Sequence, residues 1–159
     1  LVRPAGTWHP VWSTVLGVAL PLIMATDVGV AEQAVALAVD LVHHRSGPAD
    51  SAGVVGRMLT QQTAARDAVR AMIDAAEDLH FDNDLDHAAA ALNRKATATR
   101  AAIETVQLAL EAGGGAAYAS GSGIGRLLRD VHGALYHPLP AAHQERFAGM
   151  VALGLDPLG

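Results

Sequence analysis

The residues best suited to chemistry lie in one stretch, residues 111–138, which reads EAGGGAAYASGSGIGRLLRDVHGALYHP. Its first half is rich in glycine, which allows the backbone to approach another molecule closely. Its second half carries arginine and aspartate side chains together with His132 and His137, the type of side chain that titrates near neutral pH. We therefore expect binding or acid–base chemistry, if the chain performs either, to be concentrated here.

Two nucleotide-binding motifs can be tested against the glycines. The segment GSGIG at residues 121–125 superficially matches a dinucleotide-binding fingerprint, but that motif requires a preceding strand and a βαβ unit. No stretch of this chain shows the alternation expected of a strand, and no Gly-Lys-Ser/Thr follows the glycines as a phosphate-binding loop requires. Two alternatives remain, namely backbone N–H groups that bind an anionic or carbonyl ligand and an ordinary helix end followed by a loop. The sequence alone favours the second.

The two histidines do not form a metal-binding pair. His132 and His137 are five residues apart, which is about 500° of helical rotation, so they do not share one helix face. No neighbouring cysteine, aspartate or glutamate completes a set of ligands. We predict no metal site.

The rest of the chain is dominated by alanine and leucine in amphipathic helical patterns. Residues 1–12 contain Pro4, Gly6 and Pro10 and are interpreted as a linker from a missing preceding domain, and residues 13–159 as one helical domain. Trp8 and Trp12 either cap the core of this domain, which we favour, or contact whatever precedes it. Pro21 should kink the first helix or mark its beginning. The candidate caps are Asp50 or Ser51 for the second helix, Asn83 or Asp84 for the third, and Ser122 for the fourth. The predicted helices cover about 11–44, 50–79, 84–112, 124–136 and 140–154.

The second and third helices carry apolar seams with steps of three and four residues and are joined by a short polar connection, which predicts an antiparallel hairpin. Gln62 and Thr99 interrupt these seams, either to set the register or because they are partly exposed. Asp27 follows the apolar run of the first helix and is either a paired buried acid or, as we favour, a residue at its solvent edge. The predicted fold is all-α, an up-down four-helix bundle with a short extra C-terminal helix.

Composition excludes several classes of function. The chain has 159 residues, a net charge of −5 and no cysteine, which argues against nucleic-acid binding and excludes disulfides and thiolate chemistry. Its longest apolar run, Val15 to Ala25, is shorter than the roughly 20 residues that span a bilayer. We expect a cytoplasmic protein that binds neither membranes nor nucleic acid. Because the chain begins at Leu1 rather than methionine, we also expect it to be part of a longer protein.

Three segments carry a resemblance to a known family: AGGGAAY at residues 112–118, LLRDVHGALYH at 127–137 and GLDP at 154–157. Together they resemble the C-terminal helical domain of the acyl-CoA dehydrogenase superfamily, and most closely its branch of two-component flavin monooxygenases. The resemblance implies a flavin cofactor, FAD or FMN, and a homo-oligomer, either a dimer or a tetramer. It further implies that Gly114, Gly115 and Ala116 contact the flavin. It places His137 beside the reactive edge of the ring system as a catalytic group that either donates a hydrogen bond to the flavin or acts on a phenolic substrate.

Two departures from the family pattern bear on the chemistry. Dehydrogenases of this superfamily place a catalytic glutamate in a YEG-like segment, whereas here His137 follows Tyr136 and the nearest downstream glutamate is Glu145. The Arg-x-x-Phe-Gly segment that helps to bind FAD is also missing. These departures favour oxygenation by reduced flavin over thioester dehydrogenation, with a small molecule or an acyl-CoA as substrate. Arg129 and Asp130 are interpreted as a structural pair. The alternative function is a non-catalytic helical module for interaction or oligomerisation.

Overall fold

The computed structural model describes residues 8–158, with the side chain of Ser120 left aside. Five α-helices follow one another along the chain: α1 (Val11–His43), α2 (Ala52–Ala75), α3 (Leu85–Tyr118), α4 (Ile124–Val131) and α5 (Ala141–Ala152). Short 3₁₀ turns lie at Pro48–Ser51, Glu77–Leu79, Ser120–Ser122 and His132–Leu135. Within the described residues there is no strand. The predicted all-α fold is confirmed.

Contacts between helix ends establish the up-down topology. The Ser13 hydroxyl, near the start of α1, donates to the Asp84 carbonyl at the start of α3 (2.7 Å). Arg45, just after α1, reaches Gly113 near the end of α3 (2.6 Å). Helices α1 and α3 are therefore parallel, while α2 runs back between them and α4 returns along α3. Helix α5 closes the structure and is tied to α3 by an ion pair between Arg100 and Glu145 (2.6 Å).

The core is built largely from alanine. Fully buried alanines of α1 and α3 allow the two helix axes to approach closely, because small side chains occupy little space between helices. Larger apolar side chains, among them Met24, Leu92 and Val106, fill the remaining interior. Gln62 and Thr99 are both buried, so the alternative that they interrupt the seams through partial exposure is wrong. Among the described residues, the alanines of these two helices that have no exposed surface are Ala31, Ala34 and Ala38 of α1 and Ala88, Ala98, Ala102, Ala109 and Ala117 of α3.

Helix α1 is buried on one face only. By length and composition it could cross a membrane, with a mean hydropathy of 1.8 over an 18-residue window of which 33% is buried. Its inner face packs against the other helices, and its outer face exposes Val11, Val15, Val18 and Leu22, which recur in steps of three and four residues. Within the described part of the chain, this apolar face stays uncovered.

Several predicted boundaries need correction. Helix α1 begins at Val11 and continues through the buried Pro21, so it does not begin at the proline, and residues 11–12 of the expected linker form its first turn. Helix α2 ends at Ala75 rather than Leu79, because Glu77, Asp78 and Leu79 adopt positive φ angles that reverse the chain. The side chain of Ser51 forms no capping bond to α2. Residues 1–7 lie outside the described part of the chain.

One of the predicted side-chain caps is formed. The Asp84 carboxylate accepts a hydrogen bond from the backbone N–H of His87 (2.7 Å), which caps α3 as predicted. The N-cap of α4 is Gly123 rather than the predicted Ser122, whose hydroxyl accepts from the backbone N–H of Ile124 (3.3 Å) just before the helix. Helix α4 ends at Val131, and residues His132–Leu135 continue it as a 3₁₀ turn rather than as the α-helix expected to Tyr136.

Candidate functional site

The glycine segment breaks α3 without ending it. Gly114 has φ 56° and ψ −144°, a conformation outside the helical region that residues with a Cβ rarely adopt. The guanidinium of Arg45 donates to the carbonyl of Gly113, which the break deprives of a partner within the helix (2.6 Å). A Cβ at Gly114 would stand 3.2 Å from the Arg45 Nη2 atom. The loop predicted from Gly113 onward is therefore wrong, since helical structure resumes after Gly114 as far as Tyr118.

The residues after the break are open to another molecule. Gly115 and Ala116 are exposed, and a Cβ built on Gly115 would meet no atom within 4 Å. Gly115 therefore has no packing role in this chain, whereas Gly114 is required by its backbone conformation. The open surface at Gly115 and Ala116 gives a planar ligand access to the backbone.

His137 lies at the other end of α4, after the 3₁₀ turn. Its side chain is exposed, and its backbone N–H donates to the carbonyl of Gly133 (3.2 Å). Its neighbour His132 is instead engaged locally, with Nδ1 2.6 Å from the carbonyl oxygen of Leu128. Of the two histidines singled out by sequence, His137 has the imidazole that is free to meet a ligand.

Lys95 holds the segment that carries His137, and the sequence analysis did not single it out. Its ammonium is fully buried and donates to the carbonyls of Ala134 (2.9 Å) and Leu139 (3.2 Å) and to the side-chain oxygen of Gln144 (3.0 Å). A signal was available in the sequence, because Lys95 lies three residues after Leu92 on the apolar seam of α3. A lysine on such a seam is expected either to extend its charge to solvent or to be paired.

Asp27 adds a negative charge to this region from α1. Burial raises the pKa of its carboxyl group, and the positive charges of Lys95 and His137 act in the opposite direction. Burial likewise lowers the pKa of the Lys95 ammonium, and the charge of Asp27 opposes that change. Asp27 is half-buried, which agrees with the position at the solvent edge that the sequence favoured, and it lies within the electrostatic influence of Lys95 and His137.

The predicted site residues fall into two groups that this chain does not bring together. The Lys95 ammonium marks the position of the His137 segment along α3, and Gly114 lies nineteen residues further along the same helix. At 1.5 Å per residue that separation is about 28 Å along the helix axis. A single copy of this domain therefore presents the His137 end and the glycine end to different surroundings.

An apolar cavity of about 300 Å³ lies beside the His137 end, between α1, α3 and α5. Trp8 and Phe147 form part of its wall, with ring centroids 4.8 Å apart, and the Trp8 indole N–H donates to the Ser13 hydroxyl (3.4 Å). Trp12 also lines it and keeps 41% of its surface exposed. Trp8 thus caps the core of this domain, as the sequence favoured. The cavity reaches Pro138 and Leu139, directly after His137.

Three further residues weighed from the sequence can be placed. Arg129 and Asp130 are both exposed and form no ion pair with each other, so the predicted structural pair is wrong. Their adjacent positions on α4 point the two side chains in different directions. Glu145 accepts a hydrogen bond from Arg100 on the surface. Between residues 8 and 158, no group of three or more His, Asp or Glu side chains is placed to hold a metal ion.

This arrangement of helices is that of a known family. Residues 10–135 match the family described as the acyl-CoA dehydrogenase C-terminal domain, and the chain belongs to it. The chain is also similar to KijD3, whose X-ray structure was determined in complex with FMN and dTDP-3-amino-2,3,6-trideoxy-4-keto-3-methyl-D-glucose. The two share 28% sequence identity with a TM-score of 0.83, over 98% of this chain and 41% of KijD3. No curated protein matches the chain significantly.

Proposed function

We propose that this chain is the C-terminal helical domain of a flavin-dependent oxidoreductase and supplies part of a flavin site and of an oligomer interface. The observation that supports this most strongly is the likeness to KijD3, which extends over 98% of this chain and was seen in a protein that binds FMN. The chain spans 41% of the length of KijD3, so the remaining parts of the pocket belong to the rest of the full-length protein. FAD and FMN are both compatible with family membership and with this likeness.

Each of the two candidate regions fits one side of a flavin, and neither forms a closed pocket. At one end, the exposed Gly115 and Ala116 offer unobstructed backbone to a flat or anionic group. At the other, His137 offers an exposed imidazole beside an apolar cavity. Because the two regions are about 28 Å apart along α3, we propose that each serves a different flavin and that one site takes its histidine from one copy and its glycine segment from another.

The apolar face of α1 supports the interface. Val11, Val15, Val18 and Leu22 are 37–68% exposed and form one stripe along the helix. Contiguous apolar surface of this kind marks an interaction site. We propose that another part of the full-length protein or a second copy covers it. The same stripe is the observation that favours the alternative, a non-catalytic interaction module.

For the chemistry, we propose oxygenation by reduced flavin rather than dehydrogenation of an acyl thioester. The bound flavin would supply the redox step. The contribution of this chain would be a hydrogen bond or a proton delivered at the His137 imidazole. Dehydrogenation needs a carboxylate base, and Glu145, the nearest glutamate after His137, is held in an ion pair with Arg100 (2.6 Å). A substrate with an apolar portion suits the cavity beside Leu139.

The experiment compares the full-length protein with two histidine variants. We expect the purified protein to bind a flavin with an absorbance band near 450 nm (approximately, as flavins absorb) and to consume oxygen with reduced flavin. His137→Ala should lower turnover at least about a hundredfold, the scale of general acid–base catalysis. His143→Ala, which alters an exposed histidine on α5, is the matched control and should be silent. If the protein turns over acyl thioesters, the proposed reaction is dehydrogenation rather than oxygenation. If it binds no flavin, the alternative of a non-catalytic interaction module is favoured.

A further inference from the structure

Lys95 is an unusual residue for the interior of this bundle. Its side chain has no exposed surface, and none of the ion pairs formed by the described residues includes it. A buried charge is costly unless hydrogen bonds compensate the loss of water. All three N–H donors of the ammonium find an acceptor, at 2.9, 3.0 and 3.2 Å. The site around Lys95 is therefore shaped to receive an ammonium group.

The three acceptors favour the charged form of the Lys95 side chain. Two are backbone carbonyls and the third is the side-chain oxygen of Gln144, so all three require a donor. A neutral amine has two N–H groups and one lone pair, and that lone pair would face an oxygen. The bound segment and the ammonium thus stabilise each other, and replacing Lys95 by an apolar residue would leave several polar groups without partners.

The acceptors lie on both sides of His137. Ala134 precedes it by three residues and Leu139 follows it by two, so one ammonium group binds both ends of the segment 134–139. Gln144 extends the same connection into the first turns of α5. The His137 side chain itself is exposed, so the hydrogen bonds of the buried Lys95 ammonium set the position of the segment.

We propose that Lys95 is a positioning residue for His137, acting by fixing the segment 134–139 on the bundle so that the imidazole stands at a defined place beside the flavin. The proposal rests on the proposed function, because it assigns Lys95 a role in the same reaction. Asp27 completes the arrangement from α1, where its carboxylate lies within the electrostatic influence of both Lys95 and His137. Lys95 itself does not touch the reacting atoms.

The first test measures the segment directly and needs no turnover. Hydrogen–deuterium exchange of the full-length protein should show amides of residues 132–144 exchanging at least about tenfold faster in Lys95→Met, while α1 and α2 keep their protection. Gln144→Met, which removes one acceptor and is milder, should show a smaller increase in the same residues. Arg100→Ala is the matched control, because it removes an exposed contact between the same two helices, α3 and α5. Unchanged exchange at 132–144 in both Lys95→Met and Gln144→Met would overturn the proposal.

The second test separates positioning from general stability by a double-mutant cycle. If Lys95 acts through His137, Lys95→Met should lower turnover strongly in the wild-type background but by less than about twofold in His137→Ala, because coupled residues are non-additive. Equal losses in both backgrounds would overturn the positioning role while leaving His137 as the catalytic group. Undiminished turnover in His137→Ala would remove His137 from the chemistry, and both the proposed function of His137 and this inference would then fail.

Discussion

Gly114 shows why one glycine of this chain cannot be replaced. Its positive φ excludes most side chains, and the guanidinium of Arg45 occupies the space beside it. We expect Gly114→Ala to lower the free energy of unfolding of this chain by about 1–3 kcal/mol, the usual range for a residue forced into a sparsely populated backbone region. Urea denaturation followed by circular dichroism measures the change.

The neighbouring glycine provides the control for this prediction. Gly115→Ala places a methyl group in open space within a helical turn, so it should leave stability unchanged or raise it by up to about 1 kcal/mol. Equal destabilisation by both substitutions would show that the break at Gly114 is not what makes the glycine necessary.

The raised pKa of Asp27 predicts that the free energy of unfolding depends on pH. Burial raises its pKa in the folded chain above the ordinary value of 3.8. The folded state therefore binds the proton more tightly than the unfolded state, and the stability of the wild type relative to Asp27→Asn should rise as the pH falls through the folded pKa towards 3.8. Unfolding free energies of the two proteins between neutral and acidic pH measure this difference. A stability of the wild type relative to Asp27→Asn that stays constant or falls on acidification would contradict the assignment.

These residues also show where sequence reasoning reached its limit. A glycine run and a histidine are visible as residue types, so Gly114, Gly115 and His137 could be named in advance. The role of Lys95 could not, because its acceptors lie 39 to 49 residues away along the chain. The sequence shows a lysine on an apolar seam, and only the return of α4 along α3 turns it into the partner of two carbonyls.

At the scale of helices, the start of α3 joins two elements. The Asp84 carboxylate caps α3, while its carbonyl accepts from Ser13 of α1. We expect Asp84→Ala to lower the free energy of unfolding by about 1 kcal/mol, the usual loss for an N-cap. Asp82→Ala, which alters an exposed aspartate of the same connection, should have a smaller effect in the same denaturation experiment. Equal losses of stability in the two variants would show that Asp84 does not act as a cap.

The helices themselves were predictable because their apolar residues recur at helical spacing, and both the all-α fold and the hairpin of α2 and α3 follow from that recurrence. The helix ends were less predictable. Glycine is the commonest helix stop, yet the chain resumes a helical turn after Gly114, and Arg45 binds the free carbonyl of Gly113 at the break. Likewise, no glycine marks the positive φ angles at residues 77–79 that end α2.

At the scale of the whole molecule, two features of this chain are left incomplete. The outer face of α1 is apolar and uncovered, and the two candidate flavin-contacting regions lie at opposite ends of the bundle. A second copy could complete both, since an oligomer covers apolar surface and can place the glycine end of one copy beside the His137 end of another. The proposed shared site explains why neither region forms a closed pocket by itself.

Subunit complementation tests this arrangement most directly. Full-length His137→Ala and Gly115→Val proteins would each be inactive or nearly so, and mixed oligomers would be prepared by co-expression with two affinity tags. If each flavin site combines His137 of one copy with the glycine segment of another, a mixed pair contains one site with both elements intact, and we predict recovery of up to about half of wild-type turnover per pair. Mixed oligomers that stay as inactive as the separate variants would show that both elements act within one chain, contrary to the shared site.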